Sequence, residues 1–380
     1  MENQVRSWKE IRRVLLKAAL LFLLLNVLFA WLFPLEPLGR LSVYNLLVSG
    51  RTRLPYGEDP AAAYNLSLHN VPAMLASHQV SAPKEADQFR VLLLGDSNTW
   101  GWLLPAEETL SAQLNGAGLM TGDGRPVSFY NLGYPIIALS KDLLLLDAAM
   151  AAEPDLIIWL VTLDAFRYDK QMTPPLVQHN APRMQRLIRE YDLTVEEDDE
   201  QFIIPRGLER TIVGQRRPLA DWLRLQLLAV PWAATGIDQN IPDDYELRQS
   251  DFDTDISWAG YEVPVQLGEA DLAFDLLAAG ISRAGDVPVW IVNEPIFISE
   301  GTNSDRRYNA FYPRWAYDQY RELIAEAATA RGWQYLDLWD RVPGTEFTDT
   351  AVHLTPAGTV QLAAAIEKRL AAEYNWASRE

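Results

Sequence analysis

Five short apolar runs alternate along the chain with longer stretches whose apolar residues recur at helical spacing. The runs cover residues 89–94, 127–130, 156–161, 287–292 and 333–338, and each has the length of a strand buried on both faces. The helical stretches cover residues 107–115, 140–152, 271–284, 316–331 and 356–374, with Ser140 and Thr355 as expected N-caps. This alternation predicts an α/β fold with a doubly wound, mainly parallel five-stranded sheet between two layers of helices.

One long region interrupts this alternation. Residues 168–266 contain an acidic run at 196–200 and an apolar stretch at 222–232, but no regular succession of strands and helices. We interpret the region as an insertion between the third strand and the following helix. Such an insertion either shapes a site at the carboxyl edge of the sheet or forms a packing subdomain, and the sequence leaves both interpretations open.

The amino terminus contains a long apolar run that does not belong to the alternating strands and helices. Residues 14–33 are almost entirely apolar, and about 20 such residues suffice to cross a bilayer. Five basic residues precede the run or open it: Arg6, Lys9, Arg12, Arg13 and Lys17. By the positive-inside rule, this pattern predicts a single-pass anchor with a cytoplasmic amino terminus and an extracytoplasmic domain. A cleaved signal peptide and a buried core helix are the alternatives.

These observations divide the chain into three parts. Residues 1–34 form the cytoplasmic tip and anchor, residues 35–87 form a linker partly packed on the domain, and residues 88–375 form the domain itself. The 380 residues carry a net charge of −18, which argues against a nucleic-acid partner. Without cysteine the chain forms neither disulfides nor thiolate metal sites, and its four histidines disfavour a multi-histidine centre.

Candidate chemistry appears where the first apolar run ends. Residues 95–97 read Gly-Asp-Ser and follow the run directly. Open α/β sheets place their sites at the carboxyl ends of the strands, so Ser97 is a candidate nucleophile whose N–H can meet developing negative charge. An ordinary capping serine at a strand-to-helix turn is the alternative.

A second stretch of the sequence favours the nucleophile over the capping serine. Asp349 and His353 follow the last strand and immediately precede the last helix. A histidine can take a proton from a hydroxyl group when an acceptor orients its other ring nitrogen, and Asp349 is the natural acceptor. Topology places this pair at the same sheet edge as Ser97.

On these residues the chain resembles the SGNH, or GDSL-type, hydrolase family over about residues 88–165 and 285–372. Residues 95–97 resemble the family's first block, residues 131–133 (Asn-Leu-Gly) the second, and residues 349–353 the last.

The resemblance implies a three-layer, flavodoxin-like fold and a covalent mechanism without metal or cofactor. Ser97 would be the nucleophile, with His353 as base and Asp349 as its partner. The N–H groups of Ser97 and Gly133 would form the oxyanion hole.

Two departures from the family pattern concern the site. Where the family's third block commonly has an asparagine that donates to the oxyanion, residues 161–165 place Asp164. An ionised carboxylate cannot donate, so Asp164 would have to be protonated or differently used. The spacing from Asp349 to His353 is four residues, where three is usual.

The sequence therefore predicts a membrane-anchored, extracytoplasmic serine esterase or O-acyltransferase. Its expected substrate is an acylated glycan, another envelope component or a small ester. The alternative is a catalytically weak domain that binds envelope polysaccharide or a membrane-bound acyltransferase partner, and Asp164 is the feature that favours it. Four residues near the expected site are candidates for substrate binding: Asn98, Trp100, Tyr134 and Asn293.

Overall fold

The computed structural model of the chain describes residues 2–56, 68–228, 231, 235, 241 and 244–378. Its centre is a parallel five-stranded sheet in the order β3-β1-β4-β5-β6. The strands of this sheet are β1 (Phe89–Leu94), β3 (Val127–Asn131), β4 (Leu156–Val161), β5 (Val289–Asn293) and β6 (Gln334–Asp337). A short antiparallel pair, β2 (Leu119–Met120) and β7 (Ala377–Ser378), lies outside it.

Alternate side chains of each strand enter cores on opposite faces of the sheet, as the period of a strand requires. On β1, Leu92 and Leu94 belong to one buried cluster, whereas Val91 and Leu93 belong to the other. Both faces are covered by helices, so all four side chains are buried. This explains why the strands read as continuous apolar runs rather than as alternating ones.

Helices cover both faces of the sheet. Those with described bounds are α1 (Glu2–Leu32), α2 (Leu35–Gly39), α3 (Val71–Ser77), α4 (Ser97–Trp100), α5 (Leu110–Gly116), α6 (Leu139–Ala149), α7 (Pro175–His179), α8 (Ala181–Tyr191), α9 (Arg216–Leu227), α10 (Phe274–Ala284), α11 (Arg314–Arg331) and α12 (Pro356–Tyr374). Helices α6, α10 and α11 contribute to the cluster that contains Leu92, while α5 and α12 contribute to the cluster that contains Val91. The predicted three-layer, doubly wound fold is confirmed.

Two local expectations differ from the structure. Helix α6 begins at Leu139, so Ser140 is not its N-cap; instead Ser140 Oγ donates to the Gln171 carbonyl at 2.5 Å. The Ser140 hydroxyl group therefore binds a distant segment of the chain instead of capping the helix. The insertion, in which no regular alternation was expected, contains α7, α8 and α9, and α8 buries Leu187 in the same core as the sheet.

The amino-terminal part has two distinct environments. The segment Trp8–Leu32 of α1 is the one helix in the described residues that is long and apolar enough to cross a membrane, with a mean hydropathy of 2.3. Secretion signals share that length and composition. The following segment packs more closely than a linker, because Tyr44, Leu54 and Met74 lie in the main core. Residues 57–67 of that segment lie outside the described residues.

Candidate active site

The candidate nucleophile lies in a tight turn between β1 and α4. Ser97 is the first residue of α4, and the preceding Asp96 caps this helix by accepting a hydrogen bond from Asn98 N–H at 2.9 Å. The loop after β3 packs directly against α4. A Cβ atom at Gly133 would overlap the Trp100 backbone nitrogen, so only glycine permits this close approach. The local fold therefore fixes Ser97 at the carboxyl end of the sheet.

Three side chains meet at this edge in a continuous chain of hydrogen bonds. Ser97 Oγ lies 2.7 Å from His353 Nε2, and His353 Nδ1 lies 2.7 Å from Asp349 Oδ1. Ser97 and His353 are buried, whereas Asp349 is partly exposed. Ser97 is separated from His353 by 256 positions in the sequence, so the fold alone brings them together. The geometry is that of a nucleophile, a general base and an orienting carboxylate.

The surroundings of this relay favour an ionised Asp349. Burial opposes its ionisation, but the hydrogen bond and charge of His353 outweigh that effect and hold the pKa of Asp349 below its ordinary value. The carboxylate can therefore accept from Nδ1–H and leave Nε2 free to take a proton from Ser97. Trp102 stacks on the imidazole with ring centroids 5.5 Å apart and planes inclined by 24°. Sequence reasoning missed Trp102, although its position five residues after Ser97 is a usable signal.

The predicted oxyanion hole is only partly formed. Within the described residues, Ser97 N–H has no acceptor and is free to donate to a substrate oxygen. Gly133 N–H instead donates to Asn131 Oδ1 at 3.0 Å. This bond closes a turn within the loop after β3, so the Gly133 donor is occupied in this conformation.

Asp164 follows β4, the strand next to β1, and is buried. Its carboxylate forms an ion pair with Lys170 Nζ and a longer contact, 3.6 Å, with Arg167 Nη1. Asp164 therefore does not provide the amide donor that the family pattern implies at this position.

Three of the four residues predicted to bind substrate donate hydrogen bonds to other parts of the protein. The Asn98 side chain donates to Glu294, and Trp100 Nε1 donates to the Leu54 carbonyl at 2.9 Å. Asn293 is wholly buried and donates to Asp337 at 2.9 Å. The side-chain donors of these three residues are therefore engaged within the protein.

Tyr134 is the fourth of these residues and is also buried. Its ring packs edge-on against Tyr56 with centroids 5.3 Å apart, and burial raises the pKa of its phenol. It contributes to the core rather than to a surface that a substrate reaches.

A buried acid lies directly behind the nucleophile turn. Glu294 follows β5 and accepts a hydrogen bond from Asn98 Nδ2 at 2.9 Å, while its Oε1 has no partner. Burial raises the pKa of Glu294 well above its ordinary value, and the charge of the neighbouring Asp96 raises it further. Glu294 thus lies against Asp96 and Asn98, the two residues that flank Ser97.

A cleft of about 980 Å³ lies beside Asp164. The insertion supplies much of its wall, including Trp258 and Tyr261, while Phe311 comes from the segment before α11. Several charged side chains line it as well: Asp164, Arg167, Asp169, Lys170, Asp255, Glu262 and Arg307. Ser97, His353 and Asp349 are not part of its lining. Among the predicted site residues, Asp164 is the one that lines this cleft.

No group of three or more histidine, aspartate and glutamate side chains in the described part of the chain is arranged to hold a metal ion.

The fold and the relay together define an α/β protein with a serine–histidine–aspartate centre at the carboxyl edge of a parallel sheet. No family model matches the chain, and no curated protein matches it. Similar solved structures include Est24, a carbohydrate acetylesterase from Sinorhizobium meliloti, with 15% identity over 74% of this chain and 98% of that chain and a TM-score of 0.35.

Two other similar structures are esterases or lipolytic proteins by description. A lipase/acylhydrolase from Enterococcus faecalis has 14% identity over 77% of this chain and 98% of that chain, with a TM-score of 0.39. A member of the lipolytic protein G-D-S-L family from Veillonella parvula has 11% identity over 73% of this chain and 96% of that chain, with a TM-score of 0.32.

Proposed function

We propose that the chain is a serine esterase that forms an acyl-enzyme on Ser97. The observation that carries this proposal is the pair of 2.7 Å contacts that joins Ser97 Oγ to His353 and His353 to Asp349. His353 Nε2 takes the Ser97 proton as Oγ attacks the ester carbonyl. The same proton then passes to the leaving alcohol as the ester C–O bond breaks, and Asp349 stabilises the imidazolium in between.

Deacylation reverses these roles. Water, or the hydroxyl group of an acceptor, gives its proton to His353 while its oxygen attacks the acyl carbon, and the proton then returns to Ser97 Oγ. Water as the acceptor gives an esterase, and a second hydroxyl group gives an O-acyltransferase. The cleft beside Asp164 provides a place for such an alcohol, because its volume is within the range of small-ligand sites.

The proposed substrate is an acylated glycan, and the proposed location is the outer face of a membrane. Aromatic side chains such as Trp258 and Tyr261 offer apolar faces to a sugar ring, and the charged groups of the cleft offer hydrogen-bonding partners. The exposed apolar helix Trp8–Leu32 supports an anchor with the domain outside. In this arrangement residues 88–375 form the catalytic domain and residues 168–266 an insertion that shapes its cleft.

Covalent labelling tests the nucleophile directly. A fluorophosphonate probe should label the full-length protein and should not label Ser97→Ala, while His353→Ala should label far more slowly. Ser111→Ala is a matched control, because Ser111 is also a buried serine but bonds only to Thr109. Equal labelling of wild type and Ser97→Ala would overturn the proposal. Turnover of p-nitrophenyl acetate by the same variants tests the ester reaction itself.

A second function is favoured by one specific observation. The ion pairs of Asp164 and the occupied Gly133 N–H leave Ser97 N–H as the main oxyanion donor. A domain so equipped could bind an acylated polysaccharide, or a membrane-bound acyltransferase, with little turnover. Equal binding of acetylated glycan by wild type and Ser97→Ala, without release of acetate by either, would favour this binding function over the esterase.

A further inference from the structure

The outer end of α1 lies at the outer boundary of the hydrocarbon core that it would cross. The apolar run covers residues 14–33, and about 20 residues at about 1.5 Å per residue match a core of about 30 Å. The last two turns of the helix would therefore lie in the outermost part of the bilayer. Asn26 lies near that end and is buried in the structure, although most of the helix is exposed. A segment of the protein thus covers the helix at this level.

That segment belongs to the insertion. Arg210 Nε–H donates to the Ala30 carbonyl at 2.9 Å, and Val213 N–H donates to Asn26 Oδ1 at 3.2 Å. The Arg210 guanidinium also lies 4.5 Å from the centre of the Phe33 ring. These contacts hold residues 207–213 against the last two turns of α1, in the outermost part of the bilayer.

The residues around this contact expose an unusual amount of apolar surface. We call residues 41–47 and 203–227 together the juxtamembrane surface. Leu208 is 84% exposed, Leu227 at the end of α9 is 77% exposed, and Leu46 is 82% exposed. The two segments adjoin, because Val43 N–H donates to Gln226 Oε1 at 2.8 Å. Large apolar side chains grouped in this way mark a surface that contacts a protein or a membrane.

Helix α9 has the asymmetry of a helix that lies in an interface. Leu225 is fully buried against the main core, whereas Leu223 and Leu227, one turn apart, point away from it and are exposed. Basic side chains accompany the exposed leucines. Helices of this kind bury their apolar side chains about 5–10 Å into the boundary between headgroups and acyl chains.

The charge of the region agrees with a lipid surface. Residues 35–47 and 203–227 contain six arginines (Arg40, Arg206, Arg210, Arg216, Arg217 and Arg224) but only three acidic residues (Glu36, Glu209 and Asp221), although the whole chain has a net charge of −18. Basic side chains next to a membrane-spanning helix attract anionic lipid, by about 1 kcal/mol each near the surface.

We propose that the juxtamembrane surface docks on the bilayer that holds α1, with Leu46, Leu208 and Leu227 among the headgroups and the arginines beside anionic lipid. This inference rests on the proposed membrane anchor and not on the proposed esterase chemistry. Docking fixes the orientation of the domain relative to the membrane, because the surface and the anchor meet through Arg210 and Val213.

The absence of native cysteine makes the depth of each position measurable. Single-cysteine variants Leu208→Cys and Leu227→Cys of the full chain are labelled with an environment-sensitive fluorophore and placed in nanodiscs that contain phosphatidylglycerol. Leu23→Cys, within the span, is the buried reference. Val360→Cys is the exposed control, because it lies on α12, which covers the opposite face of the sheet.

We expect labels at 208 and 227 to be quenched by lipids spin-labelled near the headgroup several-fold more than the label at 360, and to be shielded from aqueous iodide. Labels at 208 and 227 that behave like the label at 360 would overturn the docking proposal. If the label at 23 also behaves like the one at 360, the anchor fails as well. None of these readouts depends on ester turnover, so they remain informative if the proposed esterase is wrong.

Charge reversal tests the proposed lipid chemistry. The double variant Arg216→Glu, Arg217→Glu should lower lipid quenching at position 227 several-fold, whereas Lys368→Glu, Arg369→Glu on α12 should leave it unchanged. Replacing phosphatidylglycerol with phosphatidylcholine should have the same effect as the first reversal. An unchanged signal in both tests would remove the arginines from the proposed contact and overturn its preference for anionic lipid.

Discussion

The substitution Asp164→Asn tests how the site stabilises an oxyanion. Asp164 is a buried carboxylate paired with Lys170 and, at 3.6 Å, with Arg167, so it cannot donate a hydrogen bond to a developing negative charge. Asparagine has nearly the same shape and carries an N–H₂ group. The substitution therefore replaces a repelling group with the donor that the SGNH pattern implies.

The expected magnitude follows from two opposing effects. A fully aligned oxyanion donor contributes about 10²–10³ in rate. Lys170 can still bind the asparagine oxygen, and the side chain must turn to present its N–H₂ group, so we expect a gain of roughly tenfold in kcat/KM, or about 1.4 kcal/mol in the activation barrier. Weakening the ion pair with Lys170, which is one-third exposed, should cost about 1 kcal/mol of stability and lower Tm by about 2 °C.

The assay is the hydrolysis of p-nitrophenyl acetate by the full-length protein from pH 6 to 9. Because asparagine does not titrate, the donor that it supplies should be present across this whole range. Asp169→Asn is the matched control: it removes an equal charge from the same loop, and Asp169 pairs with Arg167 at 2.6 Å but is largely exposed. An equal gain in that control would assign the effect to charge alone. No change in Asp164→Asn would show that Asp164 lies outside the oxyanion site.

Three further predictions concern other parts of the site and fold. Asp349→Asn should lower kcat by about 10⁴ while leaving Tm almost unchanged, because the amide stabilises the wrong imidazole tautomer. Glu294→Gln should keep kcat within about threefold of wild type, since the amide has nearly the same shape and its oxygen can still accept from Asn98, whereas Glu294→Ala should lose at least about 1 kcal/mol of stability by leaving the Asn98 donor unpaired. His78 is fully buried, and burial lowers its pKa to about 4, so the unfolded state binds more protons between pH 6.5 and pH 4. As the pH falls from 6.5 to 4, His78 should therefore lower the free energy of unfolding, measured by urea denaturation, by up to about 3 kcal/mol. His78→Gln should remove this part of the pH dependence, and an unchanged slope in the variant would contradict the prediction.

The sheet could be predicted from the sequence because a strand buried on both faces appears as a continuous run of apolar residues. The structure places β1 at Phe89–Leu94 and β4 at Leu156–Val161, the same bounds as the apolar runs. Thr355 caps α12 as expected, by accepting from Gly358 N–H at 3.1 Å. These features depend on residues close in sequence, where periodicity and capping are informative.

The surroundings of the nucleophile could not be predicted in the same way. Asn98 lies shortly after β1 and Asn293 is the last residue of β5, positions that substrate-binding residues often have, but their partners Glu294 and Asp337 come from other segments of the chain. A side chain between two such segments can face the interior or a ligand, and only the packing decides. The wall that Trp258 contributes to the cleft depends likewise on how the insertion folds back onto the domain.

A complete proton relay can function beside an oxyanion hole with few hydrogen-bond donors if contacts with the substrate supply part of the transition-state stabilisation. Interactions remote from the reacting carbonyl can offset a poor oxyanion site, because binding energy from the rest of a substrate can position the ester and exclude water. The cleft beside Asp164 is the place in the described structure where such interactions are available. Under the proposed function, an ester whose alcohol part occupies this cleft should therefore react faster than a small aryl ester, which does not reach these interactions.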